Sequence, residues 1–470
     1  MKMKKWQYFL CFFLFLGLHG HPYGEAGSEE TNFTPIMTGD GTIELNLFGS
    51  RQGQVVGVAD FDGDGIADKF VGAPYATIPG SDRVGVILVY QGNSQGGFSS
   101  TPTAWLSGGD NFGFSFATLG DVDGDKKNDF AIGAIHGSGQ DVSLCGTVSI
   151  FKEGSKGQIL SILSGEEPLD KFGFSITSGD LDKDGFEDVI VGAPFHTKDP
   201  AFYQGGAVYL FFGPDFKRRI SFYASKIHKG LGRAVAAGDI NGDGISDLLF
   251  SSNGTVSGYY GGPTFSPTIE APDFSFKSSA GGLGNSIIVL EDMDGDGMRE
   301  MAFGAPQATI DGKSNTGCIF VVKGGKGKRA IDLDKPSPDL IVRINGNRPF
   351  DRLGSSMAVV NEKGGKGTGL AVGAATADAE MNLMGGKVYL FKSENINPMT
   401  ALKDSLVFDG ATRDQCFGTF VISTDSGNLL VGAPGLNMGT GGVFLVDLQR
   451  GKRTYEGSGK GKIDTEEPCH

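Results

Sequence analysis

Apolar and polar positions along this chain follow one recurring order. An alternating segment leads into a tight acidic loop, and a short, nearly continuous apolar run follows and ends in Gly-Ala-Pro or a close variant. FGFSITSGDLDKDGFEDVIVGAP (172–194) shows the order most fully. It returns in FGFSFATLGDVDGDKKNDFAIGA (112–134), LGRAVAAGDINGDGISDLLFSSN (231–253) and LGNSIIVLEDMDGDGMREMAFGAP (283–306). DFDGDGIADKFVGAP (60–74) is the acidic half of another copy, while LGSSMAVVNEKGGKGTGLAVGAA (353–375) and FGTFVISTDSGNLLVGAP (417–434) keep the frame without the acids. Alternation predicts a half-buried strand, and a short bounded apolar run predicts a strand buried on both faces.

After a variable loop each copy supplies a third strand, as in GTVSIFKEG (146–154), GGAVYLFFG (205–213) and GGKVYLFKS (385–393), and a weaker fourth such as TAWLSG or QILSILSG. Four strands joined by glycine turns and repeated seven times predict an all-β fold: a seven-bladed β-propeller of four-stranded antiparallel blades. The leading aspartates Asp60, Asp121, Asp180 and Asp239 are 61, 59 and 59 residues apart. One repeat architecture therefore replaces the several domains that the length of 470 residues suggests. TIELNLF (42–48) precedes the first copy, and after GGVFLVDL (441–448) only a short tail remains. From this we expect the N-terminal strand to complete the seventh blade and close the ring, removing exposed edges. The expected divisions are a signal peptide over 1–26, a flexible segment over 27–41, the propeller over 42–450 and a flexible tail over 451–470.

Composition fits this reading. Glycine, at 77 residues, is about twice its usual share, as many tight turns require. The formal net charge of −14 argues against a nucleic-acid partner, which needs a basic footprint. Lys2, Lys4 and Lys5 precede the apolar stretch FLCFFLFLGL (9–18), too short to span a bilayer, with small residues around Ala26 as a cleavage signal. The expectation is export without a transmembrane anchor: a secreted, periplasmic or cell-surface protein. Cys145, Cys318, Cys416 and Cys469 show no metal-type spacing, and sequence leaves open whether any pair forms.

The acidic loops carry the candidate chemistry. Oxygen ligands fall at relative positions 1, 3, 5 and 9, with a glycine at 6 for the turn and the backbone carbonyl of position 7 available, which suits a hard divalent cation such as calcium. Five copies are equipped, so about five Ca2+ sites are expected. The first comprises Asp60, Asp62, Asp64, Ile66 and Asp68; the second Asp121, Asp123, Asp125, Lys127 and Asp129, with Lys126 in place of the glycine. The third comprises Asp180, Asp182, Asp184, Phe186 and Asp188; the fourth Asp239, Asn241, Asp243, Ile245 and Asp247; the fifth Asp292, Asp294, Asp296, Met298 and Glu300. Removing residues 1–26 takes the formal charge from −14 to −16, and five divalent ions would offset much of it. A carboxylate-saturated, repeated site is structural in character, whereas a catalytic metal keeps a position open.

The repeated Φ-Gly, DxDGDGxxD and Gly-Ala-Pro pattern resembles FG-GAP repeats, known from the head of integrin α subunits and from the C-terminal region of glycosylphosphatidylinositol-specific phospholipase D. The resemblance spans about residues 42–450. It implies a seven-bladed propeller with cations in the loops between first and second strands, on one rim. Here these loops occupy the first five blades rather than the later ones, and no stalk, inserted ligand domain or separate phospholipase domain is evident.

Partners are expected on the opposite face, in the loops after the second strands: 74–84, 135–145, 194–204, 306–316, 375–384 and 434–441. Tyr75, Phe195, Phe202 and Tyr203 put aromatic surface there, and His136 and His196 follow the second strand in adjacent repeats. The expected ligand is a protein or a glycan, and the expected role is a binding or adhesion module with no catalysis of its own. The alternative is a hydrolase or lyase acting on glycan or lipid head groups through a funnel or rim site.

Overall fold

The computed structural model describes residues 36–37, 47, 49–77, 84–200, 203–224, 230–265, 271–361, 368–379, 383–392, 396–397, 399–448 and 452–455. Seven sheets follow one another along the chain, each with a run of four antiparallel strands. The third is typical: Ser175–Gly179, Asp188–Ala193, Ala207–Phe211 and Arg219–Tyr223, paired in that order. Its second and third strands, DVIVGA and AVYLF, are buried at every position, whereas the outermost strand is only partly covered. The continuous apolar runs are thus strands with a neighbouring blade on each face. The first strands of successive blades adjoin one another around the ring.

The core accordingly lies between blades. Val148 and Ile150 of the second blade join Val189, Val191 and Tyr209 of the third in one cluster, and Val71 and Leu88 of the first join Leu430 and Val443 of the seventh in another. Short parallel bridges link adjacent blades, Gly206 to Leu231, Gly317 to Leu353 and Gly386 to Phe417, and Gln52 to Gly441 repeats the link between first and seventh.

Ring closure differs from the expectation. The seventh blade comprises Phe420–Ser423, Leu429–Gly432, Val443–Asp447 and Lys452–Tyr455, so its outer position is filled from the C-terminal side by the chain's own next turn. Of residues 42–48 only Leu47 lies among those described. Ile36–Met37 instead pairs with Ala104–Ser107 on the outer edge of the first blade. A further strand, Arg329–Asp332, lies parallel on the outside of the fourth blade's Phe274–Lys277. Residues 1–26, where the leader was expected, lie outside those described, as do Cys469 and the rest of the tail past 455. Cys145 and Cys318 are buried free thiols, and Cys416 is half-buried.

Candidate metal loops and the opposite loop face

Each acidic loop joins the first strand of its blade to the second, and its hydrogen bonds follow from its sequence. Position 1 accepts the N–H of position 6, at 2.9 Å in Asp60–Gly65 and 2.8 Å in Asp239–Gly244. Position 5 accepts the N–H of position 7, at 2.8 Å in Asp64–Ile66 and 2.9 Å in Asp184–Phe186. At position 9 the carboxylate is buried, and the four aspartates there are anchored twice. Asp188 accepts N–H groups from Leu181 at 3.0 Å and Gly213 at 3.1 Å, and Asp68, Asp129 and Asp247 are held in the same way. The chain thus closes on the apolar residue at position 2, which packs inward: Phe61, Val122, Leu181 and Ile240 are all buried.

These bonds gather carboxylate oxygens. Asp60, Asp62 and Asp68 present oxygens within 4.8 Å of one another, as do Asp121, Asp123 and Asp129; Asp180, Asp182 and Asp188; and Asp292, Asp294 and Glu300. The fourth loop has Asn241 at position 3 and so one carboxylate fewer. Desolvation by burial raises the position-9 carboxyls to about 6 in Asp68 and Asp129 and about 7 in Asp188, Asp247 and Glu300, with neighbouring acids adding to the rise. The position-5 residues Asp64, Asp125, Asp184, Asp243 and Asp296 stand outside those carboxylate triads. One oxygen of each is engaged by the position-7 N–H. Ile66, Phe186, Ile245 and Met298 have no side-chain oxygen to offer, and at the same position Lys127 brings a positive charge near Asp125.

A divalent cation fits this donor set. Among the described residues, three buried side-chain oxygens in these loops have no hydrogen-bond partner: Asp182 Oδ1, Asn241 Oδ1 and Glu300 Oε1. Each sits at position 3 or 9. An orphaned buried acceptor is costly, and a cation held at these positions would satisfy all three.

One feature escaped the sequence reading. In several blades a donor from elsewhere in the same blade reaches the position-3 carboxylate. Lys152 bonds Asp123 and lies 2.7 Å from Asp125; Lys323 lies 2.5 Å from Asp294; Arg218 lies 2.5 Å from Asp182; Gln91 donates to Asp62 at 3.2 Å. Three of these donors follow their aspartate by 29 residues. Only the superposition of repeats would have revealed that spacing.

On the opposite face the expected partner residues divide. Tyr203 is 70% exposed and Tyr75 is 36% exposed, with the Arg51 guanidinium 5.6 Å from the Tyr75 ring. Phe195 is half-buried, and Phe202 lies outside the described residues. His196 is not a surface residue: it is 1% exposed, its Nδ1 lies 2.9 Å from Asp170 and its ring packs on Tyr223. His136 is half-buried and bound through Nδ1 to Asn111 Oδ1 at 2.5 Å, with its pKa lowered to about 4 by burial and then by Lys171. The two histidines therefore serve separate networks, each tied to the start of its own blade.

An FG-GAP repeat family model matches residues 172–211. The chain is similar to phosphatidylinositol-glycan-specific phospholipase D from Homo sapiens, at 27% identity over 393 residues, covering 71% of this chain and 45% of the relative. It is also similar to integrin alpha-V from Gallus gallus, at 35% identity over 35% of this chain and 15% of the relative. Integrin alpha pat-2 from Caenorhabditis briggsae is 30% identical over 50% of this chain and 21% of its own length. The chain thus spans less than half the length of these relatives. A chain of the crystal structure of BBS1N in complex with ARL6DN, soaked with lead, matches with a TM-score of 0.45 and 10% identity, covering 84% of this chain and 93% of that one. The expectation of a chain without catalysis is overturned here: similarity to a phospholipase D extends over 71% of the sequence, which removes the ground for excluding an enzyme.

Proposed function

We propose that this chain, an FG-GAP repeat β-propeller resembling the integrin α head, is an exported binding module whose first five blades hold calcium and whose opposite loop face docks a protein or glycan ligand. The observation that carries the metal half is the trio of unpartnered buried oxygens, Asp182 Oδ1, Asn241 Oδ1 and Glu300 Oε1, all at ligand positions. Calcium accepts irregular oxygen shells of this kind. Held there, it would tie the first and second strands of a blade together and add its binding free energy to folding. The docking half is supported by the variable loops, by exposed Tyr203 and Tyr75, and by similarity to integrin α chains. No helix among the described residues is long and apolar enough to cross a membrane.

Calorimetric titration of the chain with calcium tests the metal half: about five equivalents are expected, and chelator should lower the melting temperature. No uptake, together with an unchanged melting temperature, rejects it. For docking, the chain is immobilised and challenged with protein and glycan arrays. Binding should be lost when the 194–204 loop is replaced by the short turn of the fourth blade.

A second reading is favoured by the similarity to phosphatidylinositol-glycan-specific phospholipase D: hydrolysis of a glycan or lipid head group, with the propeller presenting the substrate. Release of a glycan-anchored reporter protein from vesicles by the purified chain would support it. No release above a buffer control, with calcium present, would leave the binding module alone.

A further inference from the structure

Among the described residues, the loop face is interrupted at the fourth blade. There the second and third strands, Asp247–Ser252 and Thr255–Tyr259, are joined only by Asn253 and Gly254. The longer 194–204 and 306–316 connections of the flanking blades stand on either side. Between them lies a cavity of about 360 Å³, the size of a small-molecule site. Ser251 borders it, at the place where the second strands of other blades carry glycine.

The chemistry of this cavity opposes that of the protein as a whole. The chain carries 55 acidic residues and a net charge of −14, yet among the described residues no carboxylate lines the cavity, whereas Arg233 does. Arg233 donates through Nε to Asn285 Oδ1 at 3.1 Å and lies 5.5 Å from the Phe174 ring. Among the described residues no acid lies within ion-pair distance of it. Lys171 stands close by, its Nζ 4.4 Å from the Phe195 ring, and it too has no acid partner among the described residues. Burial lowers the pKa of both, and the charge of Arg233 lowers that of Lys171 further. Phe174 and Phe195, 6.5 Å apart, hold the two cations in place without neutralising them. Arg233 in the lining, with Lys171 behind the Phe195 ring and no acid paired to either among the described residues, forms a site for an anion.

The remaining lining narrows the anion's carrier. Asn253, Asn285 and Gln307 bring primary amides, which both donate and accept as vicinal hydroxyls do, and Phe195 and Tyr203 offer flat apolar surface. An extended peptide would need a groove or a free strand edge, whereas the second and third strands here are paired on both sides.

We propose that this cavity binds an anionic group carried on a sugar ring, a carboxylate or a phosphate, with Arg233 as its fork and Lys171 as the second charge. The amides take the ring hydroxyls and Phe195 takes the apolar ring face. The inference rests on the reading of the loop face as the docking face.

The test titrates the calcium-loaded full chain with glucuronate, glucose 6-phosphate, glucose and an N-acetylated aspartyl tripeptide, in the millimolar range expected for single sugars. At least one anionic sugar should bind, about tenfold or more tighter than glucose, and whichever binds better identifies the carboxylate or the phosphate as the natural group. Arg233→Gln should weaken it about tenfold and Lys171→Gln by less, with melting temperature and calcium uptake unchanged. Should Arg233→Gln unfold the chain, Gln307→Leu at the same cavity gives the second readout. The inference falls if neither anionic sugar binds, if binding survives both charge removals, or if the tripeptide binds better than the sugars. A ligand captured by the loop face that ignores Arg233→Gln would sink this site while leaving the docking face intact. Arrays on which loop replacement has no effect would sink the docking face itself.

Discussion

The carbonyl oxygen of Gly53, in the first blade, occupies the place where a Cβ on Gly432, in the seventh, would stand. The same relation joins Gly192 to Gly232 between the third and fourth blades and Gly373 to Gly418 between the sixth and seventh. The glycine of Gly-Ala-Pro and the glycine of Φ-Gly are thus two halves of one contact between neighbouring blades. Serines extend it: Ser175, Ser286 and Ser356 donate to the carbonyls of Gly232, Gly354 and Gly418 at 2.9, 2.9 and 2.8 Å. The ring closes between its ends as it closes everywhere else.

Gly432→Ala is therefore expected to push the seventh blade off the first and destabilise the protein by about 2–4 kcal/mol, and Gly192→Ala by a similar amount. Chemical denaturation in calcium measures both. A melting temperature that does not change would mean the seam relaxes freely.

Much of this was legible because it is local and repeated. The acidic loops, the buried second strands and the blade count all recur within single copies. The outer strand Lys452–Tyr455 was not legible, since its sequence KRTY carries no apolar alternation, unlike the RISFY of Arg219–Tyr223. The burial of His196 depends on Asp170 and Tyr209, which the fold brings from either side of it in sequence. Lys152 and Lys323 reach Asp123 and Asp294 only because the strands carry them there. The sequence pattern marks what each repeat does for itself and hides what distant parts of a blade do for each other.

Lys126 stands where the other four loops have glycine and takes the same left-handed backbone, with φ of 70° against 82° at Gly65. A side chain there is strained. Lys126→Gly is expected to stabilise the calcium-loaded chain by about 1 kcal/mol, read from denaturant midpoints. A lower midpoint would show that the lost chain entropy outweighs the relieved strain.

The Lys152 ammonium already sits among the carboxylates of the second loop, where Asp123 first and then Asp125 raise its pKa, and it holds Asp125 below the usual carboxylate range. It therefore competes with an incoming cation. Lys152→Ala should tighten calcium binding at that loop by about threefold to fivefold, and Gln91→Lys should weaken the first loop by a similar factor. Titration calorimetry would show one equivalent moving between affinity classes. An isotherm identical to that of the parent chain rejects competition.

The pH dependence should reverse sign with metal. Burial raises Asp68 and Asp129 to about 6, and Asp188, Asp247 and Glu300 to about 7, above the ordinary carboxylate value near 4. A folded pKa above the unfolded one means that these groups stabilise the metal-free chain fully below about pH 4, and that the contribution is lost as pH rises through 6 to 7. Calcium needs the same carboxylates ionised, so its stabilisation grows over that range. In chelator the melting temperature should fall between about pH 5 and about pH 8, and in saturating calcium it should rise. Parallel melting curves in the two conditions would show that the buried position-9 carboxyls do not hold the metal.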